Sequence, residues 1–325
     1  MPPLPRAVAQ TRLAVRRALS DLDPGRMVIA ACSGGPDSMA LAAATAFVAP
    51  RLGLRAGFAT IDHGLQEGSA ARAAEFAEWS RHQGFDPVEI ITVEVDPSDG
   101  GPENAARSVR YAALDDAAER HDAAAVLLGH TRDDQAETVL LALARGGGPR
   151  GISGMPERRG HYRRPLLDLP REVLTKACAE QDLPTWDDPH NADPAYRRSA
   201  LRALMPALTE VLGPGLSANL ARTARLVADD NRVLNGLAAR LTARAAGSDA
   251  SLDVAALAGQ PRALRTRVLH TWARLLGVPG SGLNHGHVSE LDRLITDWHG
   301  QGPVQLPGSR EVRRVGTRLV GGPVL

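Results

Sequence analysis

Four short stretches of the chain combine residue types that could do chemistry together. The first, Ser33-Gly34-Gly35-Pro36-Asp37-Ser38, follows the apolar run Met27-Val28-Ile29-Ala30-Ala31-Cys32 and precedes the helix-forming Met39-Ala40-Leu41-Ala42. Glycines let the backbone approach a ligand, and a helix starting there offers unpaired N–H groups to an anion. Pro36 suits an early helical turn, Ser33 and Ser38 add hydroxyl donors, and Asp37 could hold a cation against a phosphate. No Gly-Lys-Ser/Thr triplet occurs, and Lys176 is the single lysine. Any cationic clamp on the phosphates must therefore be arginine.

In the second stretch, Glu103, Arg107 and Arg110 stand at i, i+4 and i+7, with Tyr111 next. One helical face would carry both arginines, which suits phosphate or developing negative charge; a surface Glu–Arg pair is the alternative. The third runs from Gly129-His130-Thr131 through Asp133-Asp134 to Glu137-Thr138. Asp134 and Glu137, at i and i+3, can both face the ligand edge and bind Mg²⁺ there, whereas Asp133 and Asp134 also suit helix capping. His130 would serve proton transfer or a phosphate. The fourth is a basic helix with Arg197, Arg198 and Arg202. With Arg222, Arg225, Arg310, Arg313 and Arg314 it suggests a track for RNA phosphates.

These stretches need elements that bring them to one place. Strands are expected over Met27–Cys32, Leu54–Ile61, Val88–Val95 and Ala123–Leu128, each followed by a helix, with an amphipathic lead-in helix before Ser20. Four βα units in a row imply a parallel sheet covered by helices on both faces, and ligands in such sheets lie beyond the carboxyl ends of the strands. The loop 33–38, Asp62-His63-Gly64 and Gly129-His130 all fall on that edge. Past Gly154 the rhythm breaks. A short strand is expected over His161–Leu167 and a helix over Pro170–Gln181. A polar loop, Trp186–Tyr196, then precedes the basic helix Arg197–Leu212. Gly213-Pro214-Gly215 marks a boundary between residues 1–213 and a smaller, mainly helical domain, 214–325. That domain opens on a helix from Leu216 into Ala245 and closes on a hairpin, Val304–Leu306 with Arg310–Arg314.

Lys+Arg of 38 against Asp+Glu of 37 leave a net charge of +1, so RNA contact would rest on local patches. Two isolated cysteines exclude a paired-CxxC zinc site and a disulfide framework and fit the reducing cytoplasm. No apolar run approaches a membrane span, so no membrane partner is expected.

Taken in order, the motifs resemble those of the tRNA(Ile)-lysidine synthases, which belong to the N-type ATP pyrophosphatases. They are Ser33–Ser38; Asp62-His63-Gly64-Leu65; Glu103 to Tyr111; His130 through Thr138; Arg145-Gly146-Gly147 with Gly151-Ile152-Ser153-Gly154-Met155; Arg164-Pro165-Leu166-Leu167; and Trp186-Asp187-Asp188-Pro189-His190-Asn191 leading to Tyr196. The resemblance covers Val28 to about Leu208 and is loose beyond Gly213. Gln66, Thr131, Ser199 and Ala200 depart from the pattern, which bears on the tRNA or lysine contacts and not on the ATP site.

The resemblance implies an adenine nucleotide alpha hydrolase-like PP-loop fold and a cytoplasmic ligase that uses ATP and Mg²⁺. It adenylates the 2-carbonyl oxygen of the wobble cytidine in an isoleucine tRNA with anticodon CAU, releasing pyrophosphate, and free L-lysine then displaces AMP. The implied catalytic residues are Asp37, Arg110, Asp134 and Glu137. Ser33, Gly34, Gly35, Pro36, Asp37, Ser38, His63 and His130 would contact ATP, Asp37 and Asp134 the Mg²⁺, and Arg107, Arg198 and Arg202 the tRNA. The oligomeric state stays open, a homodimer included. A 2-thiolating relative would need cysteine pairs or an iron–sulfur cluster, which these two cysteines do not supply. A pyrophosphatase for small molecules would not need the basic helix, and a dead binding module would not need the intact loop with Arg110, Asp134 and Glu137.

Overall fold

Alternating side chains on the first strand set up the architecture. In the computed structural model, which describes residues 3–64, 68–94, 102–186, 197–247, 249–280 and 282–324, β1 (Met27–Cys32) is buried along its whole length. Val28, Ala30 and Cys32 enter one core, and Met27, Ile29 and Ala31 enter another on the opposite face. A strand with period-two side chains and two apolar faces can only be central in a sheet covered on both sides.

The cover comes from the helices read in the sequence. α1 (Arg6–Leu19), α2 (Pro36–Val48), α3 (Ser69–His82) and, further on, α7 (Arg171–Ala179) supply Val15, Leu41, Phe76 and Leu174 to the first core. α4 (Pro102–Arg120) supplies Leu114, Ala117 and Ala118 to the second. β2 (Arg55–Asp62), β3 (Val88–Thr92), β4 (Ala123–Leu128), β5 (Arg158–Arg159) and β6 (Tyr162–Arg163) complete a six-stranded sheet of order β3-β2-β1-β4-β6-β5. All pairings are parallel except the edge pair β5–β6. Strand order reverses between β1 and β4, so the switch point lies where the loop 33–38 and Gly129-His130 leave the sheet.

The strand expected over His161–Leu167 is only two residues long, and Leu166 and Leu167 turn inward as core instead. α5 (Arg132–Ala144) leads into the short α6 (Gly148–Ile152), which the sequence reading did not anticipate. The amide of Gln135 exchanges two hydrogen bonds with Met155, to its carbonyl at 2.9 Å and from its N–H at 2.7 Å. The Gly151–Met155 motif thereby buckles α5 to the following turn. The basic helix is α8 (Arg197–Leu212), followed by the long α9 (Leu216–Ala245).

The chain divides into two compact units, Met1–Val227 and Ala228–Leu325. The Gly213-Pro214-Gly215 turn separates α8 from α9, and the division between units falls later, within α9. The second unit holds β7 (Leu252–Asp253), α10 (Val254–Ala258), α11 (Arg262–Leu275), α12 (His285–Thr296), β8 (Val304–Leu306), β9 (Arg310–Val315) and β10 (Arg318–Pro323). The expected hairpin β8–β9 is thus part of a four-stranded antiparallel sheet, β7-β10-β9-β8. Its core gathers Trp272, Leu291, Val312 and Leu319. Arg265 grips Asp292 through two hydrogen bonds, 2.7 and 3.1 Å, tying α11 to α12.

One glycine in the loop is indispensable to this packing. Gly34 has φ +82°, and a Cβ there would lie 2.2 Å from the Phe76 ring of α3. Gly34→Ala therefore combines a left-handed backbone penalty of about 1–2 kcal/mol with overpacking of about 1–3 kcal/mol. Chemical denaturation of Gly34→Ala, Phe76→Ala and the double variant should show the overpacking as coupling. The double variant should lose less than the sum of the singles, by about 1–3 kcal/mol.

Candidate active site

The loop is built from its own side chains. Ser38, on the first turn of α2, accepts from the Ser33 N–H (3.1 Å) and donates to the Gly35 carbonyl (2.9 Å). The hydroxyl thus closes the turn and leaves Ser33 to face the cleft. From outside, the Trp186 N–H binds the Gly34 carbonyl at 2.9 Å, and the Cys178 thiol binds the Pro36 carbonyl at 3.2 Å. Gly129 ends β4 against this turn, since a Cβ there would sit 3.1 Å from backbone atoms of Asp37 and Ser38. That close approach sets His130 beside the loop.

A cleft opens next to the loop, at the carboxyl ends of β1 and β2. Ala31, Ala59, Phe76 and Leu114 form its apolar floor, and Ser33, His63 and Arg110 stand among its polar groups. Such a cleft suits a nucleoside, with its phosphates running over the N-terminus of α2. Arg72 lies over the Trp186 ring at 4.0 Å and flanks it.

On the other side of the loop sits a network of carboxylates and guanidiniums. Arg171, the first residue of α7, donates from Nε to Asp37 (3.0 Å) and from one terminal nitrogen to Asp134 (2.9 Å); the other lies 3.7 Å from Glu137. Its backbone N–H is held by the Asp133 carboxylate at 2.8 Å, so Asp133 caps α7. Arg202 of α8 bonds Glu137 at 2.9 and 3.2 Å and Asp134 at 3.2 Å. Arg198 donates to Thr138 (2.9 Å), with its Nε 3.7 Å from Glu137. Asp37, Asp134 and Glu137 are thus paired with the guanidiniums of Arg171, Arg198 and Arg202, and Asp133 stands beside them on a backbone N–H.

Glu137 is 1% exposed, and burying a carboxylate is costly unless it is paired, as Arg202 and Arg198 pair it here. Burial pushes Asp134 up, but the Arg171 guanidinium and the Thr131 hydrogen bonds outweigh it and hold its carboxyl below the usual range. Thr131 completes a capping box on α5: its N–H and hydroxyl both donate to Asp134, each at 2.8 Å. The departure at Thr131 is thus accounted for by capping.

Asp37 behaves differently. Burial pushes its carboxyl up to about 6 against the pull of Arg171. Its Oδ1 is buried and has no hydrogen-bond partner among the described residues. Burial also pushes His130 down to about 3, so the ring is neutral, and its Nδ1 is likewise buried without a partner.

The structure thus brings Ser33, Gly34, Gly35, Pro36, Asp37, Ser38, His130, Asp134 and Glu137 to the switch point, with His63 and Arg110 in the adjoining cleft. Arg107 lies exposed one turn before Arg110. Arg198 and Arg202 stand among the carboxylates, not on an open basic face. Gln66 and the Asp187–Tyr196 stretch lie outside the described residues. Arg171 is the functional residue that sequence reasoning missed. A cation in the first turn of a helix opposes the helix dipole, and that was the available signal.

A doubly wound parallel sheet with this glycine loop at its switch point defines a PP-loop ATP-binding protein. A PP-loop domain model matches residues 8–208, and a TilS substrate binding domain model matches residues 252–320. The tRNA(Ile)-lysidine synthase of Thermobifida fusca is 56% identical over 314 residues, covering 96% of each chain. That of Salinispora arenicola is 55% identical, covering 96% of this chain and 95% of the relative. That of Mycobacterium bovis is 41% identical, covering 97% and 94%. The chain belongs to the tRNA(Ile)-lysidine synthase family. The U34-tRNA thiolase NcsA from Methanococcus maripaludis, solved with its [4Fe-4S] cluster, shares the fold (TM-score 0.56, 16% identity, 68% of this chain and 80% of that one).

The raised Asp37 carboxyl has a definite effect on stability. Below its unfolded value both states are protonated and the group contributes nothing. Between about pH 4 and 6 the folded state holds the proton more tightly, so rising pH costs stability. A shift of this size corresponds to about 3 kcal/mol. Unfolding of the ligand-free protein and of Asp37→Asn should be compared at pH 4 and 7. The stability of wild type relative to the variant should fall by roughly that amount across the interval.

Proposed function

We infer that this chain is a tRNA(Ile)-lysidine synthase: it uses ATP to join lysine to the wobble cytidine of an isoleucine tRNA with anticodon CAU. The single observation carrying the reading is the pairing of an SGGPDS loop at the switch point with full-length similarity to that family. Adenylation turns the cytidine 2-oxygen into a leaving group: that oxygen bonds the α-phosphorus and pyrophosphate departs. The ε-amine of lysine then bonds carbon 2, AMP leaves, and the amine gives up a proton.

Positioning and charge neutralisation carry most of such a reaction. The N–H groups at the start of α2 would take the pyrophosphate end, with Ser33 beside them and Ser38 holding the loop shut. Arg110, half-buried in the nucleoside cleft, would neutralise the α-phosphate. Neutral His130 would offer a ring nitrogen to the reacting oxygens.

For Mg²⁺, the open Oδ1 of Asp37 fits as a ligand, and the ion would supply further phosphate neutralisation when bound. Asp134, expected beside it, has its oxygens engaged by Thr131, Arg171 and Arg202. It would act by holding those arginines. Among the described residues there is no cluster of three or more candidate metal ligands, so phosphate and water oxygens would complete the coordination. A cleft lined by Asp133, Glu137, Arg171, Arg202 and Glu210 opens beside the network, and the Asp133 and Glu210 carboxylates on its wall would suit the ammonium of free lysine.

We assign the nucleotide chemistry to residues 1–213 and tRNA capture chiefly to 214–325. No helix among the described residues is long and apolar enough to cross a membrane, and a cytoplasmic site of action accords with the free cysteines.

With ATP and the tRNA but no lysine, the protein should release pyrophosphate and accumulate adenylated tRNA. Adding lysine should convert the wobble cytidine to a product heavier by one lysyl residue, read by mass analysis of the isolated nucleoside. Pyrophosphate release indifferent to tRNA would instead indicate a small-molecule acceptor.

A further inference from the structure

Among the described residues, the cationic groups on the α4 side of the switch point meet no carboxylate. Arg107 and Arg164 both donate to the Tyr111 hydroxyl, at 3.4 and 3.3 Å, and Arg107 also lies over the Tyr111 ring at 4.9 Å. Arg164 donates further to the Pro156 carbonyl at 2.8 Å. It is 4% exposed, and its Nε has no partner among the described residues. None of Arg107, Arg110 and Arg164 meets a described carboxylate, whereas Arg171, Arg198 and Arg202 across the loop each lie beside at least one. A buried guanidinium without a counter-ion is costly, and an arriving anion would relieve the cost.

Location selects the anion. Arg110 lines the nucleoside cleft with Ser33, so its charge is directed to ATP. Arg107 is exposed one helical turn away, and Arg164 follows β6, next to β4 and therefore to His130. A phosphate reaching Arg107 and Tyr111 comes from solvent, over the strand that carries His130.

We propose that Arg107 and the Tyr111 hydroxyl form a seat for a backbone phosphate of the RNA strand beside the target nucleotide, with buried Arg164 as the positioning residue beneath them. Arg164 holds the hydroxyl in place and adds a positive charge that meets no carboxylate among the described residues. Tyr111 itself is braced edge-on against Tyr162 at 4.9 Å. The inference rests on tRNA being the substrate, which the wild-type nucleoside assay tests separately.

The test measures affinity for the CAU-anticodon tRNA as a function of salt, without ATP, in wild type, Arg107→Gln, Tyr111→Phe and Arg164→Lys. ATP affinity and the unfolding midpoint are measured alongside. Arg107→Gln should lower the log–log salt slope by about 0.7–0.9. Tyr111→Phe, which keeps the ring, and Arg164→Lys, which keeps the charge but loses the fork, should each weaken tRNA binding several-fold with ATP affinity unchanged. Unchanged slope and affinity in all three variants would overturn the seat. So would a loss confined to ATP affinity, which would assign the charges to an ATP phosphate, or a loss of tRNA binding that merely follows a lowered unfolding midpoint.

Discussion

One guanidinium holds the ligand edge together. Arg171 touches Asp37 at the start of α2 and Asp134 and Glu137 on α5, and its own backbone is held by Asp133. Carboxylates this close and this buried repel one another and would otherwise take up protons. The shared cation lets α2, α5 and α7 converge on the switch point, and Arg202 and Arg198 extend the network to α8. Removing one partner from such a network leaves charge buried without compensation, which typically costs about 3–5 kcal/mol.

The consequence is a division of charge across the loop. On the α5 side the carboxylates are paired with guanidiniums; on the α4 side Arg107, Arg110 and Arg164 meet no carboxylate among the described residues. Phosphates therefore have a preferred side to approach. The network leaves Asp37 a half-satisfied carboxylate next to the helix N-terminus.

The parts of this arrangement differ in how far the sequence discloses them. β1 and its loop are legible because a uniformly apolar run, two glycines and a helix start constrain one another locally. His130, Asp134 and Glu137 follow from their place after β4. The partners of Asp134 and Glu137 do not, because Arg171 and Arg202 come from helices 37 and 68 residues beyond Asp134. Basic residues on α8 read as an RNA track for the same reason: periodicity shows which residues share a face, not what that face meets. The short β5 and β6 escape because strands of two residues carry no period, and β7 and β10 because the partner strand, not their own pattern, selects them.

Arg171 acts by neutralising buried carboxylates. The direct measurement is denaturant unfolding of wild type and Arg171→Met at about pH 7.5 and about pH 5, since protonation relieves repulsion as Arg171 does. The variant should be less stable by about 3–5 kcal/mol at the higher pH and should recover most of that loss at the lower. An equal loss at both pH values, or none at either, would contradict this role.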